Sequence, residues 1–334
     1  MAPTLQSATP NRVPCPVCGH LANATSTSYS VEASAQQFVP QEREPDRYAQ
    51  LLAHLKTLWP DGHAVIFRCP SCDFGFAHPH VGGDARFYEL INFGGIYPRW
   101  RVDYDSALEN LPEQPLRRAL DLGAGHGSFL RTLPDAVDKH ATESNPANVA
   151  TLRGKGIDAH LDLTSLHARF AGQFDLITAF QTLEHLADFR TILKTCAELL
   201  APKGRVILTM PHVDACFRQE ERSGEPDMPP CHCNRWSENA LKHVFAEIGM
   251  QPVCFQRFRM NPLKQLVAQA NQVVRARSYH SGTLANQVVA IPNRKMRRLC
   301  LAALLPGAAL RLAPYWRELS LGGSFLAVAE KPSI

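Results

Sequence analysis

The sequence predicts an α/β protein: a mostly parallel sheet with helices on both faces, a small cysteine-bearing module ahead of it, and a helical insertion before the last strand. Three observations carry this. Between Leu116 and Arg259, short apolar runs alternate with longer stretches of helical spacing, the order of a parallel sheet whose crossovers are helices. Ahead of that region stand two Cys-x-x-Cys pairs, Cys15/Cys18 and Cys69/Cys72. Between Arg257 and Arg317 there are eleven Lys or Arg and no acid, so the remainder carries 24 basic against 31 acidic residues and the charge is segregated along the chain. With 334 residues, 45% apolar and 20% charged, the chain can bury one large core plus a satellite module, which excludes disorder, collagen and coiled coil as overall descriptions.

Three regions follow. Residues 1–80 hold both cysteine pairs, and Leu51, Leu52, Leu55 and Leu58 predict a helix over Pro45 to Trp59 between them. Residues 81–115 form an aromatic cap or linker with Phe87, Tyr88, Phe93, Tyr97, Trp100 and Tyr104. Residues 116–334 hold the sheet. Its strands are expected at Arg118 to Leu122, Lys139 to Glu143, up to His160–Leu163, Phe174 to Phe180, Arg205 to Met210 and Pro252 to Phe258, with Ser324 to Ala329 closing the sheet as an antiparallel partner. Helices are expected at Ser128 to Thr132, Asn145 to Arg153, Leu183 to Leu200 and Ser237 to Ile248, with a basic helical insertion at 260–320. Pro202 and Gly204 punctuate the passage into the Arg205 strand.

Gly123, Gly125 and Gly127 follow the first of these strands, where a turn without side chains lets backbone amides approach a ligand. A dinucleotide fingerprint needs its third glycine at position 128, which is Ser128, and a phosphate-binding loop needs a terminal Gly-Lys-Ser/Thr, which is absent. The run Asp121-Leu-Gly-Ala-Gly-His-Gly127 instead resembles the D-x-G-x-G-x-G motif of class I S-adenosylmethionine-dependent methyltransferases. Four further segments resemble that family in the same order: His140-Ala-Thr-Glu143, Phe174 to Asp188 with Leu183-Glu-His185, Leu199 to Pro211, and Pro229 to Ser237. The resemblance covers about residues 116–258 plus the last strand and implies a seven-stranded Rossmann-like sheet with S-adenosylmethionine as co-substrate. It implies donor contacts from Asp121, Gly123, Ala124, Gly125, Gly127 and Phe180, ribose contacts from Glu143, and adenine contacts from Asp162 and Leu163.

A sulfonium donor carries its own leaving group, so the chain must align a nucleophile and supply a base. His185 and His232 are the candidates, since both fall on the sheet rim that receives ligands and imidazole titrates near neutrality. His185 as a helix-start residue bonded to the backbone, and Glu184 as a cap or packing residue, are the bland alternatives. Related methyltransferases hold a divalent ion with Glu-x-x-Glu-His plus a later His; here Gln181 replaces the first carboxylate, which leaves His185, Glu184 and His232 as a depleted set flanked by Cys231 and Cys233.

Cys15, Cys18, Cys69 and Cys72 form two Cys-Pro-x-Cys knuckles that present four thiolates to one zinc ion, a closed structural site whose net charge of −2 creates no nucleic-acid surface. Fifty residues separate the knuckles, so this zinc ribbon carries an insertion. The basic insertion offers a cap over a phosphate-bearing acceptor, a peripheral contact with an anionic membrane surface, or simply a solvated face. Pro306, Arg311 and Pro314 interrupt Leu299 to Trp316 as a membrane span, and Met1 to Pro14 lacks a secretory pattern, so a cytoplasmic location is expected. The expected activity is methyl transfer to a small-molecule, glycan or nucleotide-linked acceptor. An RNA methyltransferase is the first rival, opposed by the confinement of the basic block and the lack of an RNA-module motif; a non-catalytic donor-binding regulator is the second.

Overall fold

A computed structural model describes residues 11–91, 100–224, 227–279, 282–319 and 321–333. Phe93 and Tyr97 of the aromatic segment, and most of the Met1 to Pro14 stretch, lie outside the described residues. The described strands fall into two sheets. The N-terminal one is antiparallel and holds β1 (Arg12–Pro14), β2 (Leu21–Ser30), β3 (His63–Arg68) and β4 (Gly75–His78). Helices Val31–Phe38 and Pro45–Leu58 are inserted between β2 and β3, where the leucine spacing placed a helix.

The second sheet contains β5 (Arg118–Leu122), β6 (Asp138–Thr142), β7 (Asp158–His160), β8 (Phe174–Phe180) and β9 (Leu200–Pro211). A two-residue strand, β10 (Asn234–Arg235), leaves this part of the chain to pair with β4, so the first sheet is completed by a segment 156 positions or more downstream. The sheet then ends with β11 (Gln251–Arg259) and β12 (Leu321–Glu330). Its order is β11-β12-β9-β8-β5-β6-β7, with β12 alone running against its neighbours, which is the expected seven-stranded, mostly parallel sheet.

Burial follows from position in that order. Central β8 is buried at all seven positions, which a strand covered on both faces requires and which its continuous apolar run supplies. Asp175 is tolerated there because its carboxylate accepts the backbone N–H groups of Arg117 and Arg118 at 2.7 and 2.9 Å. Helix Phe189–Leu199 buries Phe189, Leu193, Cys196 and Ala197, one helical face, against the sheet. Helix Pro146–Arg153 begins at Asn145, whose Oδ1 accepts from Ala147 N–H, and helix Glu238–Glu247 begins at Ser237, whose Oγ accepts from Ala240 N–H.

Three expectations are corrected. The glycine loop opens into turns and a 3-10 turn at Leu130–Thr132 rather than a helix from Ser128, because Pro134 follows within two residues and pushes Leu133 out of helical geometry. The expected helix from Leu183 is split into a 3-10 turn, Leu183–His185, and the α-helix from Phe189. Pro306 does not break the insertion's last helix, Arg294–Leu312, which follows helices Pro262–Ser278 and Leu284–Val289 between β11 and β12. Arg294–Trp316 is long and apolar enough to cross a membrane by length and composition alone, with mean hydropathy 1.3 and 11% buried.

The two sheets are joined by charge as well as by β10. Arg235 is 1% exposed, its guanidinium bonded to both oxygens of Glu220 at 3.0 and 2.6 Å and 3.6 Å from Asp227. Removing one partner of a buried pair strands the others without compensation. Arg235→Met is therefore expected to cost about 3–5 kcal/mol, read as a lower urea midpoint at unchanged slope; an unchanged midpoint would contradict this account.

Candidate active site

The glycine loop turns back on the end of β6. Gly123, Gly125 and Gly127 have φ of +65°, +54° and +70°, a conformation that side chains disfavour. Gly123 and Ala124 donate their N–H groups to Thr142 O at 2.9 and 3.1 Å, and Ala124 packs on the apolar core. Close approach matters at two positions. A Cβ on Gly123 would lie 2.9 Å from Thr182 Oγ1, and one on Gly127 would meet Leu152 Cδ2 and Ile157 Cδ1 at 2.7 and 2.8 Å.

Glu143 sits across from the loop, 6% exposed. One carboxylate oxygen accepts Gly125 N–H at 2.8 Å and the other accepts Asn145 N–H at 3.1 Å, so each keeps acceptor capacity for a ligand hydroxyl. Asp121 lies under the loop, 3% exposed, accepting Thr178 Oγ1–H at 2.8 Å. Burial pushes its carboxyl up to about 7, against the opposing effects of the Thr178 hydroxyl and the Arg101 guanidinium. Asp162 is exposed at the rim, its Oδ1 accepting Thr164 N–H at 2.8 Å, while Leu163 leans on the main core. Phe180 does not present a free face: its ring packs 4.8 Å from Tyr104 and 4.7 Å from Phe129. The structure therefore gathers Asp121, the glycines and Glu143 at one corner and leaves Asp162 on its outer edge.

The turn after β8 brings the histidines together. Gln181 has φ of +52°, and the 3-10 turn that follows carries Glu184 and His185. The His185 and His232 rings meet edge to face with centroids 4.6 Å apart. His185 Nδ1 lies 2.7 Å from Cys231 O, which only accepts, so this nitrogen carries the proton and Nε2 is the basic one. The expectation that both rings titrate near neutrality does not hold. Burial, then the neighbouring His232, holds His185 down at about 3; burial would also lower His232, but Asp227, 2.5 Å from its Nδ1, overrides this and lifts it to about 9. Glu184, 1% exposed, is pushed up to about 7 by burial and leaves Oε2 without a hydrogen bond. His185, Cys231 and His232 can bring three ligand atoms within 4.8 Å of one another, whereas Gln181 turns toward Thr209, so no second carboxylate stands where the divalent-ion set would need it.

Sequence reasoning missed several of these groups. Asp227 carries no motif, and Asn234, although inside the Pro229 to Ser237 segment, was given no role; it donates to both Leu183 O and Leu186 O, at 3.0 and 2.7 Å, and fixes the histidine turn. Arg101, Asp103 and Tyr104 were legible only as an aromatic segment, yet Arg101 grips Asp103 through two bonds and Tyr104 covers the loop's aromatic floor.

In the N-terminal module, Cys15 and Cys72 sulfurs lie 3.6 Å apart, Cys18 and Cys69 sulfurs 3.5 Å apart, and all four lie within 4.8 Å of one another. Four thiolates about 2.3 Å from a tetrahedral ion sit about 3.8 Å from each other, so the set fits zinc; none of the ten cysteines forms a disulfide. Arg190 holds the first knuckle through Pro16 O, and Ser237 Oγ the second through Cys72 O.

Given the collision a methyl would meet at Gly127, Gly127→Ala is expected to lower stability by about 1–3 kcal/mol and weaken nucleoside binding together. Denaturation and calorimetry on the same preparation check this; full stability would show that the loop has room to spare.

A family described as "Methyltransferase domain" matches residues 97–254. A ubiquinone biosynthesis O-methyltransferase of Xanthomonas oryzae pv. oryzae is 30% identical over 162 residues, covering 41% of this chain and 66% of that protein. One of the same description from Psychrobacter arcticus is 39% identical over 109 residues, covering 28% and 40%. The chain thus spans between two fifths and two thirds of these relatives' length. A solved structure described as a SAM dependent methyltransferase from Archaeoglobus fulgidus aligns with a TM-score of 0.46 at 16% identity, covering 74% of this chain and all of that one. With its glycine loop, its acid-bearing second strand and the match over residues 97–254, the chain carries a methyltransferase domain of the class I S-adenosylmethionine-dependent type.

Proposed function

We propose that this protein methylates an acidic hydroxyl, phenolic or enolic, on a small molecule. The observation that carries the reading is the edge-to-face meeting of the His185 and His232 rings, 4.6 Å apart, beside a turn whose Thr182 lies against Gly123 of the loop. The donor supplies a sulfonium methyl that leaves its sulfur without a covalent enzyme intermediate. The chain's residues do the rest. Gly123, Gly125 and Gly127 give the donor its backbone approach, Glu143 takes ribose hydroxyls on its spare lone pairs, and Asp162 receives the adenine amino group at the rim. Ionised Asp121 adds negative charge facing a cationic ligand. His232, held by Asp227, favours the ionised acceptor oxygen, and His185 Nε2 takes the proton; because His185 is held far below neutrality, this transfer is uphill unless His232 stabilises the oxyanion, which restricts the acceptor to an acidic hydroxyl rather than an alkyl alcohol. Relatives described as O-methyltransferases support oxygen as the acceptor atom and a small molecule over the glycan and nucleotide-linked classes. Cys15, Cys18, Cys69 and Cys72 would hold zinc in a structural role, fixing the module that grips the histidine turn.

The sign of the pH dependence follows from Asp121. Its folded value of about 7 exceeds the unfolded 3.8, so the stability it contributes as a neutral acid is lost as pH rises from about 4 to 7, while the charge useful to a cationic ligand appears over the upper part of that rise. S-adenosylmethionine affinity should rise from pH 6 to pH 8, and Asp121→Asn should flatten that rise relative to the parent while melting higher at pH 8. With a phenolic acceptor panel, His185→Gln should lower kcat roughly 100-fold or more with little change in donor affinity. An unaltered kcat would remove the base, and no saturable binding of the donor at any pH would remove the whole proposal.

We extend the reading to membranes on one observation: Leu299 and Leu310 are 69% and 75% exposed on the helix that begins Arg294-Lys-Met-Arg-Arg298. Apolar side chains beside cations fit a peripheral contact with anionic lipid. Co-sedimentation with vesicles containing anionic lipid should exceed that with neutral vesicles and fall with salt; equal recovery on both would refute it.

A further inference from the structure

The parallel pair β6 and β7 carries two Asp-x-His repeats, Asp138-Lys-His140 and Asp158-Ala-His160. Period-two alternation puts all four side chains on one face of the sheet, and the register sets His140 opposite Asp158 and Thr142 opposite His160. The result is a compact cluster remote from the His185 turn. Asp158 points one carboxylate oxygen at His140 Nδ1, 3.3 Å away, and the other at His160 Nε2, 3.0 Å away. His140 is 2% exposed, and neither of its ring nitrogens, nor His160 Nε2, makes a hydrogen bond of acceptable geometry. Buried polar atoms without hydrogen bonds call for another partner.

We propose that His140 Nδ1, His160 Nε2 and the Asp158 carboxylate form a binding site for a divalent transition metal of the zinc class. The spacing suits ligands of one ion as well as ion pairs, and the buried ring nitrogens without hydrogen bonds favour the ion. Nitrogen and oxygen ligands about 2.0–2.2 Å from a tetrahedral ion lie about 3.3–3.5 Å from one another, and the three groups converge within 4.8 Å. The outer groups are those that metal-bound imidazoles use. Asp138 lies 3.0 Å from His140 Nε2 and is itself paired with Arg118 at 2.8 Å, and Ser165 Oγ lies 3.0 Å from His160 Nδ1, which turns Nε2 inward. Arg169, 3.9 Å from Asp158 and 59% exposed, lies over the Phe170 ring with its guanidinium carbon 4.8 Å from the ring centroid, and its pairing with Asp158 is a long surface contact that an ion would displace. The half-exposed side of Asp158 leaves a fourth position for water.

The consequence reaches the donor corner. β7 is an edge strand of three residues, and its His160 O accepts Glu143 N–H at 2.9 Å. An ion bridging β6 and β7 would pin that short strand immediately before Glu143 and Asp162, a second lock independent of the methyl-transfer chemistry.

The test uses the intact chain with its thiolate cluster filled with zinc, then equilibrated with cobalt(II) and freed of excess metal. Wild type should retain about one more cobalt per chain than His160→Gln, with visible d–d bands and no sulfur-to-cobalt charge transfer, and zinc should raise the melting temperature of wild type more than that of the variant. Both proteins keep His185, Cys231 and His232, so metal bound there cancels in the comparison. If His160→Gln does not fold, Asp158→Asn, at a 40% exposed side chain, replaces it. Equal cobalt content and superimposable spectra in wild type and variant would overturn the proposal, whatever the outcome of the methyl-transfer assays.

Discussion

One buried carboxylate organises the donor corner. Glu143 accepts the N–H of Gly125 and of Asn145, while its own N–H is held by His160 and the preceding Thr142 carbonyl receives Gly123 and Ala124. A loop of left-handed glycines has few conformations to lose when it is fixed by three such bonds, but many when it is not. The carboxylate thus serves the fold before any ligand arrives, and the ribose contact proposed for it would use the capacity left over. That ordering explains why an acid is needed at the end of the second strand even though its strongest contacts are to the chain itself.

The cysteine module is coupled to the chemistry through a short path. β4 pairs with β10, the β10 residue Asn234 clamps the carbonyls of Leu183 and Leu186, and His80 holds Asn234 Oδ1 at 2.7 Å. Gly82 lies so close to His185 O that a Cβ there would come within 2.5 Å. Loosening of the knuckles is therefore felt at the histidine turn without any side chain of the module touching a reacting atom. Small modules with little core of their own need such a tether, and here the tether ends on the histidine turn itself.

The parallel sheet was legible because buried central strands read as apolar runs and their crossovers as helical periods; β5 and β8 fall where those patterns put them. The glycine loop and Glu143 were legible because backbone chemistry restricts which residues fit. What escaped was anything decided across the chain. β10 is two residues long and has no period, Asp227 matters only because folding brings it to His232, and the positive φ of Gln181 goes with an N–H bond to Thr209 O on the neighbouring strand. The helix expected from Ser128 failed for a local reason, Pro134, that outweighed the family pattern.

The charge state of the histidine turn follows from its neighbours taken together. His232 sits among Asp227 and Glu184, whose negative charge sustains an imidazolium that burial alone would discharge. Among the described residues no carboxylate pairs with His185; its Nδ1 faces the Cys231 carbonyl and the Tyr88 hydroxyl, and its ring faces His232. Protonating His185 would set two imidazoliums 4.6 Å apart, and at that distance in a poorly solvated site their repulsion far exceeds its value in water. Under the function proposed above, the same repulsion would limit the pair to acceptors that give up their proton easily, so the acidity required of the hydroxyl would be set by the turn rather than by the glycine loop.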